Sequence, residues 1–68
     1  METSVYKIIE VVGFSENSWE DAAKAAVAAV DSSVRDMRVA EVVMMDMRLE
    51  DNRIVGYRTK VKVSFKLE

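Results

Sequence analysis

The C-terminal part of the chain alternates between two kinds of side chain, and this alternation is the strongest structural signal in the sequence. Gly56–Glu68 reads GYRTKVKVSFKLE. Apolar, aromatic or β-branched residues occupy every second position from Tyr57 to Leu67, and mostly charged residues stand between them. Because successive side chains of a strand point to opposite faces, the pattern predicts a long strand with one apolar face and one cationic face.

A second strand is predicted near the N-terminus. Val5–Gly13 is rich in β-branched residues, and a largely polar segment, Phe14–Asn17, follows it as a predicted loop. Lys7 interrupts one face of this strand and Glu10 interrupts the other. Two interpretations therefore stay open: a central strand with two charges that reach solvent, or a strand that forms a contact surface.

A third strand, Arg38–Glu50, is followed by the turn-forming pair Asp51 and Asn52, which predicts a hairpin with the C-terminal strand. Strict alternation assigns one face of this strand to Val39, Val43, Met45, Met47 and Leu49. It assigns the opposite face to Ala40, Val42 and Met44, together with Arg38, Asp46 and Arg48.

A helix is predicted between the first two strands. Ser18 suits the N-cap position, and Asp21 stands three residues later in a variant capping box. From there to about Val34, one apolar stripe recurs at helical spacing: Trp19, Ala23, Ala26, Val27, Val30 and Val34. A second flank of small residues, which predicts close approach of the helix to the sheet, consists of Ala22, Ala25 and Ala29. We interpret Trp19 as a lid on the core rather than a platform for a stacked ligand.

The order β-α-β-β predicts the fold class α+β, with a three-stranded antiparallel sheet over one helix in a single domain of residues 1–68. The strand from Tyr57 to Leu67 spans about 36 Å, whereas a helix of about 16 residues spans only about 24 Å. Part of the apolar sheet is therefore expected to form an interface. Cys and His are absent, so a disulfide or an ordinary zinc site cannot stabilise this short chain, and oligomerisation is expected instead.

The composition excludes most catalytic chemistry. Without His or Cys there is no Ser-His-Asp or Cys-His nucleophile, and two glycines form no phosphate-binding loop. We therefore predict that the protein is not an enzyme. A net charge of −2 argues against nucleic-acid binding by bulk charge. The sequence shows no apolar run of about 18 residues and no signal-peptide pattern, so we expect a cytoplasmic protein that contacts no membrane.

The sequence contains candidate ligands for two kinds of metal site: carboxylate oxygens for a hard cation and methionine sulfurs for a soft one. Carboxylates cluster at Glu16, Glu20 and Asp21, and again at Glu50 and Asp51. Such oxygens suit Ca²⁺ or Mg²⁺, although helix capping and the reverse turn also account for them. A soft-metal site is the alternative to packing for Met44, Met45 and Met47, and packing is favoured because these residues are assigned to both faces of the strand.

The chain as a whole resembles the dodecin family over nearly its full length. The segments that carry the resemblance are VYKIIEVVG at Val5–Gly13, SWEDA at Ser18–Ala22, VAEV at Val39–Val42 and VKVSFKL at Val61–Leu67. The resemblance implies a sheet that wraps the helix and twelve copies that assemble into a hollow sphere. This homododecamer agrees with the assembly expected from strand length.

The resemblance also implies a ligand site, and this sequence departs from it at two positions. Many dodecins bind flavin, and in these a Trp near the start of the second strand stacks on the isoalloxazine ring while a Gln early in the third strand hydrogen-bonds the ring's polar edge. Aligned on VAEV and VKVSF, these positions are Val39 and Arg58. Val39 has no π-face to provide a stacking energy of about 1–3 kcal/mol, and Arg58 donates hydrogen bonds but accepts none. Binding of FMN or riboflavin is therefore expected to be weakened or lost.

The pattern RVA-x-V with a downstream DM resembles instead a branch of dodecins without flavin, some of which are described as calcium-binding. The resemblance assigns no calcium ligand to a particular residue, so the metal ligands stay unknown. The favoured hypothesis is a homo-oligomeric protein that binds or stores a small ligand or a cation such as Ca²⁺. The alternatives are a structural or interaction module without ligand, and a flavin-binding dodecin with an atypical pocket.

Overall fold

The computed structural model describes residues 3–67, so predictions that involve Met1, Glu2 or Glu68 lie outside the described residues. The elements are β1 (Tyr6–Ser15), α1 (Trp19–Asp31), β2 (Met37–Glu50) and β3 (Arg53–Lys66). The predicted order is confirmed. β1 continues through Phe14 and Ser15, which were predicted to lie in the loop. Within residues 3–67, no helix combines the length and apolar character needed to cross a bilayer.

β3, the strand with the strongest alternation, lies at the centre of the sheet. The strand order is β1-β3-β2, and both pairings are antiparallel. The apolar face of β3 turns toward α1, where Thr59, Val61 and Val63 are each 1% exposed. β1 is an edge strand, so its interpretation as a central strand is wrong. β2 forms the opposite edge.

The β2–β3 hairpin turns at the predicted pair. Asp51 and Asn52 have φ angles of 51° and 62°. Two successive residues with positive φ are typical of a type I′ turn, whose twist matches that of a two-stranded ribbon. Asn and Asp tolerate this region better than most residues, because their short side chains can bond locally to the backbone.

α1 begins at the predicted cap and ends earlier than predicted. Ser18 Oγ accepts a hydrogen bond from the backbone N–H of Asp21 at 3.0 Å, and its φ of −165° is extended. The helix ends at Asp31 rather than near Val34. At this end, the hydroxyls of Ser32 and Ser33 donate to backbone carbonyls three residues earlier. Such local bonds compete with continued helix.

The backbones of β1 and α1 approach each other closely at Gly13. A Cβ added to Gly13 would lie 1.9 Å from the carbonyl oxygen of Ala22 and 2.9 Å from its carbonyl carbon. Ala22 is fully buried, so the predicted close approach is confirmed there. It is wrong for Ala25 and Ala29, which are exposed. The contact at Gly13 fixes how closely α1 lies on the β1 side of the sheet.

Two β-bulges in β2 overturn the faces assigned by strict alternation. Between Met37 and Val39, and again between Val42 and Met44, β2 advances two residues while β3 advances one. Each extra residue turns the following side chains to the other face. The side of β2 that faces α1 therefore carries Met37, Ala40, Val42, Met45 and Met47. The opposite side carries Val39, Glu41, Met44 and Asp46.

α1 packs on β1 and β3 and hardly reaches β2. The molecule measures 54 × 20 × 14 Å and has a radius of gyration of 14.2 Å, compared with about 11 Å for a compact chain of this length. Its accessible surface is 5206 Å², compared with roughly 4300 Å² for a compact monomer of this mass. The excess of about 900 Å² agrees with the expected uncovered sheet.

Candidate functional site

The two positions aligned with the flavin site both lie on the side of the sheet that faces away from α1, which we call the outer face. Val39 is exposed and stands opposite Ser64, and Arg58 stands opposite Asp46. Six residues of β3 separate Ser64 from Arg58, which corresponds to about 20 Å along the strand. One chain therefore does not bring Val39 and Arg58 together. A single pocket that contains both positions must combine different copies of the chain.

Arg58 is held by a carboxylate of the neighbouring strand. Its Nε donates to Asp46 Oδ1 at 2.7 Å, and its Nη2 donates to Asp46 Oδ2 at 2.6 Å. This bidentate geometry is the strong form of the Arg–carboxylate pair. The hydrogen bonds with Arg58 lower the pKa of Asp46, and the same bonds raise the pKa of Arg58. The guanidinium fork of Arg58 is therefore directed at Asp46.

This ion pair gives a prediction about pH. The Asp46 pKa lies below its ordinary value of 3.8, so the pair stabilises the fold above pH 3.8, and this stabilisation is lost as the pH falls through the folded-state pKa. We expect Arg58→Ala to move the Asp46 pKa back toward 3.8 in a carboxyl NMR titration. Arg48→Ala is the matched control, because Arg48 pairs with Glu50 at 2.7 Å. Equal Asp46 titration curves in wild type and Arg58→Ala would contradict the assignment.

Trp19 has structural partners on two strands. Its indole Nε1 donates to the backbone carbonyl of Asp46 at 2.9 Å, and its own carbonyl accepts from Thr59 Oγ1 at 2.9 Å. The ring meets Tyr57 edge to face, with centroids 4.9 Å apart. These contacts join the start of α1 to β2 and β3. They support the interpretation of Trp19 as a lid on the core.

The described carboxylates are dispersed. Residues 3–67 contain no group of three or more Asp and Glu side chains close enough to hold one metal ion. In the predicted clusters, Glu20 and Asp21 stand in the first turn of α1, and the Glu50 carboxylate forms an ion pair with Arg48. Glu10 lies 4.0 Å from Lys60 and 3.8 Å from Lys62. An oxygen-rich cation site would need ligands from more than one copy, from backbone carbonyls or from water.

An apolar groove, which the sequence analysis missed, runs between α1 and β2. Its volume is about 560 Å³, and its apolar lining includes Ala23, Val27, Ala28, Met37, Ala40 and Val42. Lys24 and Asp31 stand at its α1 side. We call this space the α1–β2 groove. Strict alternation did not predict the groove, because it assigned Ala40 and Val42 to the face opposite Met45, whereas all three lie on the side of β2 that faces α1. The run Val42–Met45, with four apolar residues in succession, was the one available signal of a bulge.

Comparisons with known proteins place this geometry in a family. The family model described as Dodecin matches residues 5–68. Calcium dodecin from Mycobacterium tuberculosis is 47% identical over 64 residues, which cover 94% of this chain and 90% of that protein.

Solved structures of dodecins also match this chain. One match is the crystal structure of calcium dodecin from M. tuberculosis, a calcium-chelating immunodominant antigen with a novel calcium-binding site. It superposes on this chain with a TM-score of 0.85 at 46% sequence identity. The match covers 96% of this chain and 93% of that chain. A mutant of the Thermus thermophilus dodecin gives a TM-score of 0.88 at 32% identity, over 97% and 98% of the two chains. The resemblance inferred from the residues is confirmed, and the chain belongs to the dodecin family.

Proposed function

We propose that twelve copies of this chain form a cytoplasmic shell that binds and stores a small ligand or cation, with Ca²⁺ as the favoured cation and without a catalytic role. Similarity to calcium dodecin supports the choice of cation. The uncovered β2 strand and the excess of accessible surface support assembly. In this proposal the family's flavin binding is weakened or lost.

The observation that carries the proposal is the chemistry of Val39 and Arg58, the two positions that align with the flavin-binding residues of the family. Val39 presents an aliphatic side chain where a stacking ring is needed, and Asp46 holds the guanidinium of Arg58 through two hydrogen bonds. A flavin would have to displace a charge-assisted pair to reach Arg58. It would also lack a stacking energy of about 1–3 kcal/mol.

The charge balance favours a cation over an anion. Each chain has a net charge of −2 at pH 7, so a shell of twelve carries twelve times −2, which is −24. Such a field raises the local concentration of cations. Ca²⁺ takes six to eight oxygen ligands, and no described cluster of one chain supplies three carboxylates. Symmetry-related copies can supply repeated oxygens around one ion.

Calcium should stabilise the assembled protein. After removal of metal with EDTA, added CaCl₂ is expected to raise the melting temperature progressively, because a ligand at 100 times its Kd contributes about 2.7 kcal/mol. Isothermal calorimetry of the same sample should give the number of ions per chain, and MgCl₂ is the matched control. If neither calcium binding nor a shift in melting temperature is found, the cation proposal is wrong. A module without ligand would then be favoured.

Riboflavin should bind this protein at least tenfold more weakly than it binds Trp-bearing dodecins, since a loss of about 1.4 kcal/mol is already tenfold. Quenching of flavin fluorescence on titration measures this difference. Val39→Trp with Arg58→Gln should recover part of the binding, and Val39→Leu with Arg58→Gln controls for the loss of the ion pair alone. Tight riboflavin binding by the unaltered protein would favour a flavin-binding dodecin with an atypical pocket.

A further inference from the structure

Several cations of the outer face lie beside carboxylates of the same chain. On β2, Arg48 donates one hydrogen bond to the Glu50 carboxylate at 2.7 Å. On the β1 side, the ammonium groups of Lys60 and Lys62 lie 4.0 and 3.8 Å from the Glu10 carboxylate. Those two distances are longer than a hydrogen bond. Each of these cations is therefore held by a single hydrogen bond or by none.

The contact between Asp46 and Arg58 is different in kind. Both carboxylate oxygens of Asp46 accept from Arg58, at 2.7 and 2.6 Å. Among the ion pairs described for residues 3–67, this is the pair joined by two hydrogen bonds. The main chain of Asp46 is also fixed, because its carbonyl accepts from Trp19 Nε1 at 2.9 Å. A carboxylate and a phosphate present similar oxygen pairs to an arginine fork, so Asp46 stands where an oxyanion ligand would bind.

A ligand can reach this pair from solvent. The side chains of Arg58 and Asp46 are 46% and 36% exposed. Phe14 stands opposite Arg58 on β1, and the Arg48 guanidinium lies 5.6 Å from the centroid of its ring. Lys60 follows Arg58 on the same face, about 7 Å along the strand. Without the Asp46 carboxylate, cations would outnumber carboxylates on this part of the outer face, which favours an oxyanion.

We propose that Asp46 determines ligand specificity at this position: its carboxylate fills the guanidinium fork of Arg58 and excludes phosphates and carboxylates. The inference rests on the proposed function, in which the chain belongs to a ligand-binding shell, and adds the class of ligand that the outer face refuses. A neutral or cationic ligand meets a neutralised pair. An oxyanion meets a competing carboxylate and must break two charge-assisted hydrogen bonds before it binds.

Replacement of the carboxylate tests this assignment. Inorganic phosphate is titrated in metal-free buffer at constant ionic strength, and the Arg58 Nε–H resonance is followed by NMR. Asp46→Asn should lower the phosphate concentration for half-saturation at least about fivefold, because an exposed ion pair is worth up to about that factor and its carboxylate also repels the anion. Asp46→Ala, which leaves no acceptor, should give an equal or larger gain. Addition of Arg58→Gln to either variant should abolish the gain, measured by phosphorus NMR line widths of the phosphate.

Glu50→Gln is the matched control, because it removes a carboxylate from Arg48 with the same change in net charge. It should leave the phosphate response of Arg58 as in wild type. If both Asp46 variants respond to phosphate no more readily than wild type, or if Glu50→Gln gives the same gain at Arg58, the assigned role of Asp46 is wrong. The titration contains no calcium and the pair lies within one chain, so failure of the proposed calcium binding or of the shell would leave its outcome unchanged.

Discussion

Gly13→Ala is expected to destabilise the protein by about 3 kcal/mol or more, because the added Cβ would overlap the backbone of α1. The new methyl group would lie 1.9 Å from the Ala22 carbonyl oxygen. A backbone carbonyl in a buried helix turn cannot rotate away as a side chain can, so α1 would have to move off the sheet. The φ of Gly13 is not positive, so steric overlap is the cause and not a special backbone conformation.

Gly56→Ala is the matched control for this prediction. Its Cβ would meet the Phe14 ring, with Cζ at 2.2 Å. Phe14 is 41% exposed, so its ring can turn aside at a cost of about 1 kcal/mol. The nearest backbone atom, the carbonyl oxygen of Ser15, lies 3.1 Å from the new Cβ, so it has to give by only a few tenths of an ångström, far less than the Ala22 carbonyl beside Gly13. Urea denaturation at one fixed protein concentration measures both variants. Similar losses for Gly13→Ala and Gly56→Ala would contradict the fixed contact between β1 and α1.

Val42→Asp is expected to abolish assembly while leaving the subunit's own packing nearly intact. Val42 is 51% exposed in the single chain, so a carboxylate there can reach water while the chain is alone. It lines the α1–β2 groove, and burial of an unpaired charge in an interface costs at least about 3 kcal/mol per copy. That cost corresponds to more than a hundredfold loss of affinity. Analytical ultracentrifugation should show small species for this variant and a large particle for wild type.

Val5→Asp controls for hydrophobicity and charge. Val5 is 47% exposed and precedes β1, so the substitution makes the same chemical change away from the groove. We expect this variant to keep the wild-type particle mass. A Val42→Asp protein that still forms the wild-type particle would show that the groove stays open to solvent after assembly.

The flavin positions show the limit of sequence reasoning at the site. Alignment located Val39 and Arg58, and the chemistry of their side chains gave the expectation of weak flavin binding. The sequence alone did not predict the ion pair between Arg58 and Asp46, because these residues lie twelve positions apart and meet only through the register of β2 on β3. The assignment of Val39 and Arg58 to a ligand site stays a prediction.

Local patterns in the sequence were enough to determine the order β-α-β-β, the cap at Ser18, the turn at Asp51 and Asn52, and the buried face of β3. Each of these depends on residues within a few positions of one another. Tertiary structure decided the central place of β3, the edge positions of β1 and β2, and the faces of β2. A bulge depends on how a strand pairs with its neighbour, and a single bulge reverses every side chain beyond it. The α1–β2 groove and the Arg58–Asp46 pair follow from that pairing, which no local pattern encodes.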